Sequence, residues 1–170
     1  MNSVNICFLI LNYNSYKDTI SFVHHISGQE KILQLLPILI VDNCSSDHSF
    51  EILLQEFQDN QNIEVIQTQK NGGYGYGNNW GIKYLQQTYN PEFIIISNPD
   101  IIADVAIIPE MLKAFQVDKK IAAVSVQMVN SNNKPHLSFI HHVGKTINKI
   151  LPSKLSKFRI LQESTRYYQK

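Results

Sequence analysis

The chain has little net charge, few cysteines and no long hydrophobic run, and each absence excludes a class of protein. Its 15 Lys and Arg residues nearly balance 14 Asp and Glu residues, so the whole chain lacks the basic excess of a nucleic-acid-binding protein. Its two cysteines show neither metal-ligand nor disulfide spacing, which indicates a reducing, cytoplasmic location. The apolar run within MNSVNICFLILNYN is too short for a signal peptide or a membrane span.

The charges that are present are unevenly distributed along the chain. Residues 1–133 carry 7 Lys or Arg against 13 Asp or Glu, whereas residues 134–170 carry 8 against a single acid. Within this tail, residues 144–162 interleave apolar and basic side chains. Packing of the apolar face on the protein is the fate we favour, and peripheral contact with an anionic membrane at its inner face is the alternative. We therefore divide the chain into a domain over residues 1–130 and a basic amphipathic tail over residues 131–170.

Five short apolar runs alternate with segments of helical periodicity. The runs cover Val4–Leu11, Leu36–Asp42, Asn62–Thr68, Glu92–Ser97 and Ile121–Val129. The helical segments cover Tyr16–Ser27, Asp47–Gln58, Asn79–Gln87 and Ala106–Gln116. Runs that are apolar throughout suit parallel strands covered on both faces. The order βαβαβαβαβ predicts an α/β fold of three layers, with helices on both faces of a mostly parallel sheet.

Polar residues follow each of the first four runs. They are Asn12, Tyr13 and Asn14 after the first run, Asp42 and Asn43 after the second, Asn71 and Gly73 after the third, and Asn98 and Asp100 after the fourth. Ligands of open α/β sheets bind beyond the carboxyl ends of the strands, where these residues would meet. The sequence therefore predicts a binding site at this edge of the sheet.

Two of these carboxylates suggest different roles. Asp42 ends an apolar strand, and its carboxylate can accept a hydrogen bond from the imide N–H of uracil or thymine or from the N–H pair of guanine. Tyr13 can stack on the same base. Asp100 follows a proline and suits a Mg²⁺ or Mn²⁺ ion whose other ligands are diphosphate oxygens and water.

The stretch NGGYGYGNNWGI (residues 71–82) is rich in glycine but matches neither common nucleotide-binding loop. A dinucleotide fingerprint would need a third glycine at position 78, where asparagine stands, and a Walker loop would need Gly-Lys-Ser/Thr. Two interpretations stay open. One is a flexible loop, and the other is a backbone wall against a sugar nucleotide, followed by a short helix.

Four segments together resemble family-2 glycosyltransferases with the GT-A fold. ILNYNS resembles the first-strand motif of that family, IVDNCSSDHS resembles V-D-N-x-S-x-D-x-S, and NGGYGYGNNWGI matches N-x-G-[FY]-[AG]-x-G-N-N-x-G-I nearly position for position. ISNPDI resembles the L-N-P-D form of the D-x-D motif found in the rhamnosyltransferase-like branch. The resemblance covers about residues 5–130.

The resemblance implies inverting transfer of a sugar from a nucleoside-diphosphate sugar, with UDP, dTDP or GDP as the nucleotide. The acceptor would be a glycan or a lipid-linked molecule in cell-surface polysaccharide synthesis. Asp100 would hold the divalent cation. The residues implied in nucleotide-sugar binding are Asn12, Tyr13, Asn14, Asp42, Asn43, Asn71, Gly73, Gly77, Asn78 and Asn98.

The resemblance does not extend to a catalytic base. The family places that base in an acidic, aromatic-rich segment downstream of the metal site, and none of Asp104, Glu110, Asp118 and Glu163 stands in such a context. We therefore expect the base beyond residue 170, in a longer protein of which this is a fragment, or no base at all in a naturally shortened relative. The alternative function is a catalytically incomplete module that binds nucleotide sugars or a partner. A nucleotidyltransferase, the third class, would need a glycine- and lysine-rich loop after the first strand, where NYNSYKDT stands.

Three further features favour structural roles. Adjacent histidines, His24-His25 and His141-His142, point apart on a helix or a strand and rarely bind one metal together. Trp80 is expected to pack a helix on the sheet.

Overall fold

Four of the five apolar runs form strands, and a helix overlaps every predicted helical segment. The computed structural model describes residues 5–29, 37–118, 120–126 and 129. The strands are β1 (Ile6–Asn12), β2 (Ile38–Asp42), β3 (Ile63–Gln67) and β4 (Phe93–Ser97). The helices are α1 (Tyr16–Ser27), α2 (Ser49–Phe57), α3 (Tyr74–Thr88) and α4 (Ile108–Val117), the last preceded by a 3₁₀ turn over Val105–Ile107.

The four strands form one sheet in the order β3-β2-β1-β4, and all of its pairs are parallel. The two central strands, β1 and β2, are buried almost throughout, which explains why both run apolar without alternation. At the carboxyl edge, Asn12, Asp42 and Gln67 are paired in register across β1, β2 and β3. The ends of β2 and β4 lie at this same edge on either side of β1, as predicted.

Helices cover both faces of the sheet, so the predicted three-layer α/β fold is confirmed. On one face, Cys7, Leu9, Leu39 and Val41 form a core cluster with Leu85 of α3. Successive side chains of a strand alternate between faces, so Phe8, Ile10, Ile38 and Ile40 point to the other side. There α1 and α2 pack together and bury Phe22, Val23, Ile26, Leu53 and Phe57.

Helix α3 begins at Tyr74, five residues before the predicted start at Asn79. The helix follows Gly73, whose φ of +83° only glycine adopts without strain, and it then runs through the glycine stretch. Two of its glycines face the sheet. A Cβ on Gly81 would lie 2.8 Å from Val41 Cγ2, and one on Gly77 would overlap the side chain of Leu11. These two glycines are therefore required by close packing of helix on sheet, which the periodicity of apolar residues could not show.

The described chain divides into two compact units, the first ending at Val105 and the second beginning at Ala106. Helix α4 of the second unit starts with Pro109 in its first turn, a position that tolerates the missing N–H. The predicted fifth strand is wrong for residues 121–126, which form no regular structure. A fully apolar strand needs cover on its faces, whereas Ala122, Ala123, Ser125 and Val126 are exposed.

In the ranges that the structure describes, no helix combines the length and the apolar character needed to cross a membrane. The basic segment 144–162 and the whole predicted tail, residues 131–170, lie outside the described residues.

Candidate functional site

A cavity of about 510 Å³ opens at the carboxyl edge of the sheet, within the usual size range of small-molecule sites. It is lined by Leu11, Tyr13, Ser15, Asp18, Asn43, Asn71, Gly73, Tyr74, Asn98, Pro99 and Asp100. Six of these were predicted from the sequence, namely Tyr13, Asn43, Asn71, Gly73, Asn98 and Asp100. The strand ends therefore meet where the parallel topology requires.

The Asp42 carboxylate lies beneath this edge and accepts four hydrogen bonds. Asn12 Nδ2 and Ser45 Oγ donate to Oδ1 at 2.7 and 2.6 Å. The Ser45 N–H and Gln67 Nε2 donate to Oδ2 at 2.9 and 3.0 Å. Asp42 is 0% exposed and does not line the cavity. In this arrangement Asp42 holds three segments together, and a contact with a nucleobase needs one of the four donors to move.

Asn12 and Asn14 tie the first strand end to the loop after β2. Asn12 Oδ1 accepts from Thr19 Oγ1 of α1 at 2.8 Å, and Asn12 is fully buried. Asn14 has a left-handed backbone with φ of 52°, a conformation that asparagine tolerates. Its Oδ1 accepts from the Ser46 N–H at 2.9 Å, and its own N–H donates to Ser45 Oγ at 2.9 Å. Both asparagines thus position the backbone beside Tyr13 without lining the cavity.

Asn43 fixes the glycine loop against the sheet from the cavity side. Its Nδ2 donates to Asn71 Oδ1 at 3.0 Å and to the Gly73 carbonyl at 3.3 Å, while its Oδ1 accepts from Thr68 Oγ1 at 3.2 Å. The Gly73 N–H also donates to Asn71 Oδ1 at 3.0 Å. The loop before α3 is therefore held by a network of hydrogen bonds, and the flexible-loop interpretation does not apply to it.

Gly77 and Asn78, which were predicted to bind the nucleotide sugar, lie in α3 and are not among the residues that line the cavity. Gly77 allows the helix to approach Leu11. Asn78 is 5% exposed, and its Nδ2 donates to the Tyr74 carbonyl at 3.0 Å. Its Oδ1 is buried without a hydrogen-bond partner among the described residues.

Asp100 and Asn98 give the cavity exposed oxygen atoms. Both residues are exposed, and neither side chain makes a hydrogen bond or an ion pair with another described residue. Carboxylate and amide oxygens are ligands that Mg²⁺ and Mn²⁺ accept. No group of three or more His, Cys, Asp or Glu residues in the described ranges could hold a metal. The donors present thus fit a cation that takes most of its ligands from a bound diphosphate and water.

Five residues that line the cavity were not predicted as site residues, namely Leu11, Ser15, Asp18, Tyr74 and Pro99. Tyr74 is 59% exposed and Tyr13 is 46% exposed, so the cavity has two accessible aromatic rings. Asp18 lies in the first turn of α1, and it lines the cavity as a second acidic residue in addition to Asp100. An acidic residue in the first turn of a helix is ordinarily explained by the helix dipole, so the sequence did not indicate that Asp18 lines a binding site.

The histidine pair His24-His25 has structural partners, as predicted. His24 Nε2 lies 2.8 Å from Glu56 Oε1, and His25 Nε2 lies 3.0 Å from the Ala103 carbonyl oxygen. The two rings therefore point to different neighbours and do not form a metal site. The second pair, His141-His142, lies outside the described residues.

The titratable groups with resolved pKa shifts lie on the α3 side of the sheet, outside the cavity lining. A hydrogen bond to Glu64 Oε1 at 2.6 Å raises the pKa of Tyr84, because the bond requires the protonated hydroxyl. Burial raises the pKa of Tyr89 and that of the Cys7 thiol. Trp80 packs partly buried against the same core cluster, as expected.

Solved structures share the fold. The mannosyltransferase PcManGT from Pyrobaculum calidifontis, in complex with GDP-Man and Mn²⁺, aligns with a TM-score of 0.61 and 14% identity over 76% of this chain and 36% of that chain. S. aureus TarS 1–349 in complex with UDP-GlcNAc aligns with a TM-score of 0.59 and 20% identity over 78% of this chain and 37% of that chain. The fold is that of GT-A glycosyltransferases.

A curated relative is the low-salt glycan biosynthesis hexosyltransferase Agl10 of Haloferax volcanii, 31% identical over 97 residues, which are 57% of this chain and 28% of the relative. The match thus spans 28% of the length of this relative and 36–37% of the two solved chains. The family model described as glycosyl transferase family 2 matches residues 7–167. Because this match covers nearly the whole chain, the protein belongs to glycosyltransferase family 2.

Proposed function

We propose that this chain is the donor-binding part of an inverting glycosyltransferase that takes its sugar from a nucleoside diphosphate. The observation that carries the proposal is that the loops after all four described strands line the same cavity. They bring Tyr13, Asn71, Asn98 and Asp100 together at the carboxyl edge of a parallel sheet. This is the edge at which open α/β sheets bind ligands. The near-zero net charge supports a small ligand rather than a nucleic acid.

The donor is proposed to lie with its base near Tyr13 and its diphosphate near Asp100. Tyr13 offers an accessible ring for stacking, and Asp42 offers a carboxylate for a ring N–H. The loop Asn71–Gly73, held by Asn43, would pass along the nucleotide and sugar. UDP, dTDP and GDP sugars all present the required ring N–H, and the relatives with bound UDP-GlcNAc or GDP-Man support this range.

A divalent cation, Mg²⁺ or Mn²⁺, is proposed to bind at Asp100 with Asn98 nearby. When bound, it would stabilise the negative charge of the departing nucleoside diphosphate. Asp100 would anchor it, and Asn98 would offer a neutral oxygen in place of a second carboxylate. The exposure of both side chains to the cavity supports these roles.

The acceptor is proposed to be a glycan or a lipid-linked molecule in cell-surface polysaccharide synthesis, and the location to be cytoplasmic. The glycan biosynthesis role of the Haloferax volcanii relative supports the first proposal. The free thiols of Cys7 and Cys44 support the second. Contact of residues 144–162 with the inner face of a membrane remains a prediction.

Isothermal calorimetry with UDP, dTDP, GDP and ADP, each with Mn²⁺ and with a chelator, tests donor binding. We expect the first three to bind only with Mn²⁺ and ADP to bind weakly, because adenine has no imide N–H. Affinity should be modest, since these 170 residues alone leave the cavity open to water. Equal binding of all four nucleotides with no effect of the metal would remove the donor-site assignment.

A second candidate function is binding without transfer. The acidic residues that line the described cavity are Asp18 and Asp100. We assign Asp100 to the cation, and Asp18 lies in α1, within the unit proposed to bind the donor. Neither is therefore assigned as a catalytic base, which favours binding without transfer. A positioned base typically accelerates transfer by about 10²- to 10⁴-fold. We therefore expect little or no sugar transfer by this chain alone, and a transfer assay with the best-bound nucleotide sugar distinguishes the two functions. Robust turnover would point to Asp18 or Asp104 as the base.

A further inference from the structure

The four donors that surround Asp42 differ in their own exposure. Asn12 is fully buried and bonded in turn to Thr19, and Ser45 donates both its N–H and its hydroxyl from the loop after β2. Gln67 is the exposed member of the set. The hydrogen bond from Asn12 is buried, those from the half-buried Ser45 and from Gln67 are partly buried, and Gln67 is the most exposed of the three residues that donate.

The position of Gln67 explains this difference. Gln67 is the last residue of β3, an edge strand of the described sheet, and it is paired in register with Asp42. Side chains paired across neighbouring strands share a face of the sheet, so the Gln67 amide reaches Asp42 Oδ2 at 3.0 Å from the outer side. Releasing this bond breaks no backbone hydrogen bond and moves no buried group.

We infer that Gln67 is a displaceable cover over Asp42, and that a nucleobase reaches this carboxylate by taking the place of the Gln67 amide on Oδ2. The inference rests on the proposed function, because it names the residue that controls how the same site reads a base. It also explains how a carboxylate with no exposed surface can contact a ligand at all.

The exchange favours bases that bring their own donor. A ring N–H replaces the amide N–H of Gln67, so Asp42 keeps four hydrogen bonds and only the exposed amide returns to water. A base without a donor at that place would leave Asp42 Oδ2 with the Ser45 N–H as its one remaining donor, and the lost hydrogen bond of a buried carboxylate is costly. Gln67 thereby acts as a specificity-determining residue, since it keeps Asp42 paired when the site is empty and yields only to a matching donor.

The test compares nucleotides that differ only at the ring N–H. UDP and GDP are titrated with Mn²⁺ into the 170-residue protein, alongside 3-methyl-UDP and 1-methyl-GDP, in which a methyl group replaces that hydrogen. Gln67→Ala removes the competing amide, and Gln67→Met removes it while keeping the length of the side chain. Gln69→Ala is the matched control, because Gln69 is also exposed and lies just past the end of β3.

Of UDP and GDP, the one that the parent protein binds more tightly should bind both Gln67 variants about three- to tenfold more tightly than it binds the parent. This is the effect expected when one competing hydrogen bond is lost. Binding of the methylated analogue should not change, and Gln69→Ala should behave as the parent. The side-chain amide signals of Gln67 should shift in NMR spectra when the unmethylated nucleotide is added and stay in place with the analogue.

Other outcomes overturn the inference. Equal changes for methylated and unmethylated nucleotides would show that Gln67 only supports the local structure. Unchanged affinities in both variants would show that the base does not displace it, while the proposed function would stand. If neither UDP nor GDP binds the parent protein with Mn²⁺, the proposed function and this inference both fail.

Discussion

The ends of β2 and β4 each carry an aspartate, and the two aspartates are in opposite surroundings. Asp42 is buried and accepts four hydrogen bonds from three segments of the chain. Asp100 is exposed at the cavity and has no partner among the described residues. The first carboxylate stabilises the loops that shape the cavity, whereas the second is available to a ligand from outside. A carboxylate at a strand end can therefore serve structure, binding or both, and its hydrogen bonds decide which.

The comparison predicts the largest effect for Asp42→Ala. Removing the carboxylate leaves the buried amide of Asn12 and the partly buried donors of Ser45 without their acceptor, so we expect a loss of about 3 kcal/mol in the free energy of unfolding. Asp100→Ala should change it by less than about 0.5 kcal/mol, as for an exposed residue without partners. Urea denaturation of both variants measures the difference, with Asp42→Asn as a control that keeps the volume. Similar stabilities for the two alanine variants would break the comparison.

Helix α3 offers a similar comparison between a closely packed position, Gly81, and an open position, Gly75. Gly81→Ala drives a methyl group against Leu9 and Val41, and overpacking of this kind typically costs about 1–3 kcal/mol. Gly75 faces open space, so Gly75→Ala should be neutral or stabilise the helix by up to about 1 kcal/mol. Thermal or urea unfolding compares the two variants. A loss of stability in both would mean that the stretch is sensitive to any side chain, and not only where it meets the sheet.

Asp100→Ala sharpens the comparison on the side of binding. We expect the Mn²⁺ dependence of UDP or GDP binding to disappear and Mn²⁺-supported affinity to fall by at least about tenfold, since even outer-shell changes reduce metal affinity that much. Asp59→Ala is the matched control, because Asp59 is exposed and precedes β3, at the opposite edge of the sheet. Calorimetry with Mn²⁺ and with a chelator measures the nucleotide affinity and its dependence on the metal. A retained metal dependence in Asp100→Ala would move the cation site elsewhere.

The smallest effect is expected for Asn98→Asp. A second carboxylate beside Asp100 adds a charged oxygen ligand, so Mn²⁺ should bind severalfold more tightly when the nucleotide is present. Asn98→Ala, which offers no oxygen, should leave affinity unchanged or weaken it slightly. Titration of Mn²⁺ at a fixed nucleotide concentration compares the three proteins. Weaker binding by Asn98→Asp would show that this side chain does not face the cation.

Much of the first unit could be predicted from the sequence because its two central strands are buried almost throughout and its two edge strands are partly covered. Uniformly apolar runs then mark the strands, and parallel topology alone brings their polar ends together. The fifth run failed because Ile121–Val126 has the composition of a buried strand but is not covered as one. An apolar composition is compatible with a buried strand, but it does not show whether other elements of the fold pair with the segment and cover it.

The site was predicted less completely than the fold. Tyr13, Asn71 and Asp100 were found because they lie in the loops that follow strand ends. The surroundings of Asp42 were not, since the contact with Gln67 depends on the register between β2 and β3, which no local pattern contains. The glycines of residues 72–81 were read as one feature, although Gly73 provides a left-handed turn and Gly81 provides space against the sheet.

The central position of β1 has a consequence for how the protein is made. β1 leaves the ribosome well before β4, and it pairs with β2 on one side and with β4 on the other, where Ile6 meets Phe93. Until that distant segment has been synthesised, an apolar strand edge stays unpaired, and such edges are prone to aggregation. Because long-range parallel pairing is slow, a nascent chain that pauses before Phe93 should depend on chaperones more than one that pauses after Ser97.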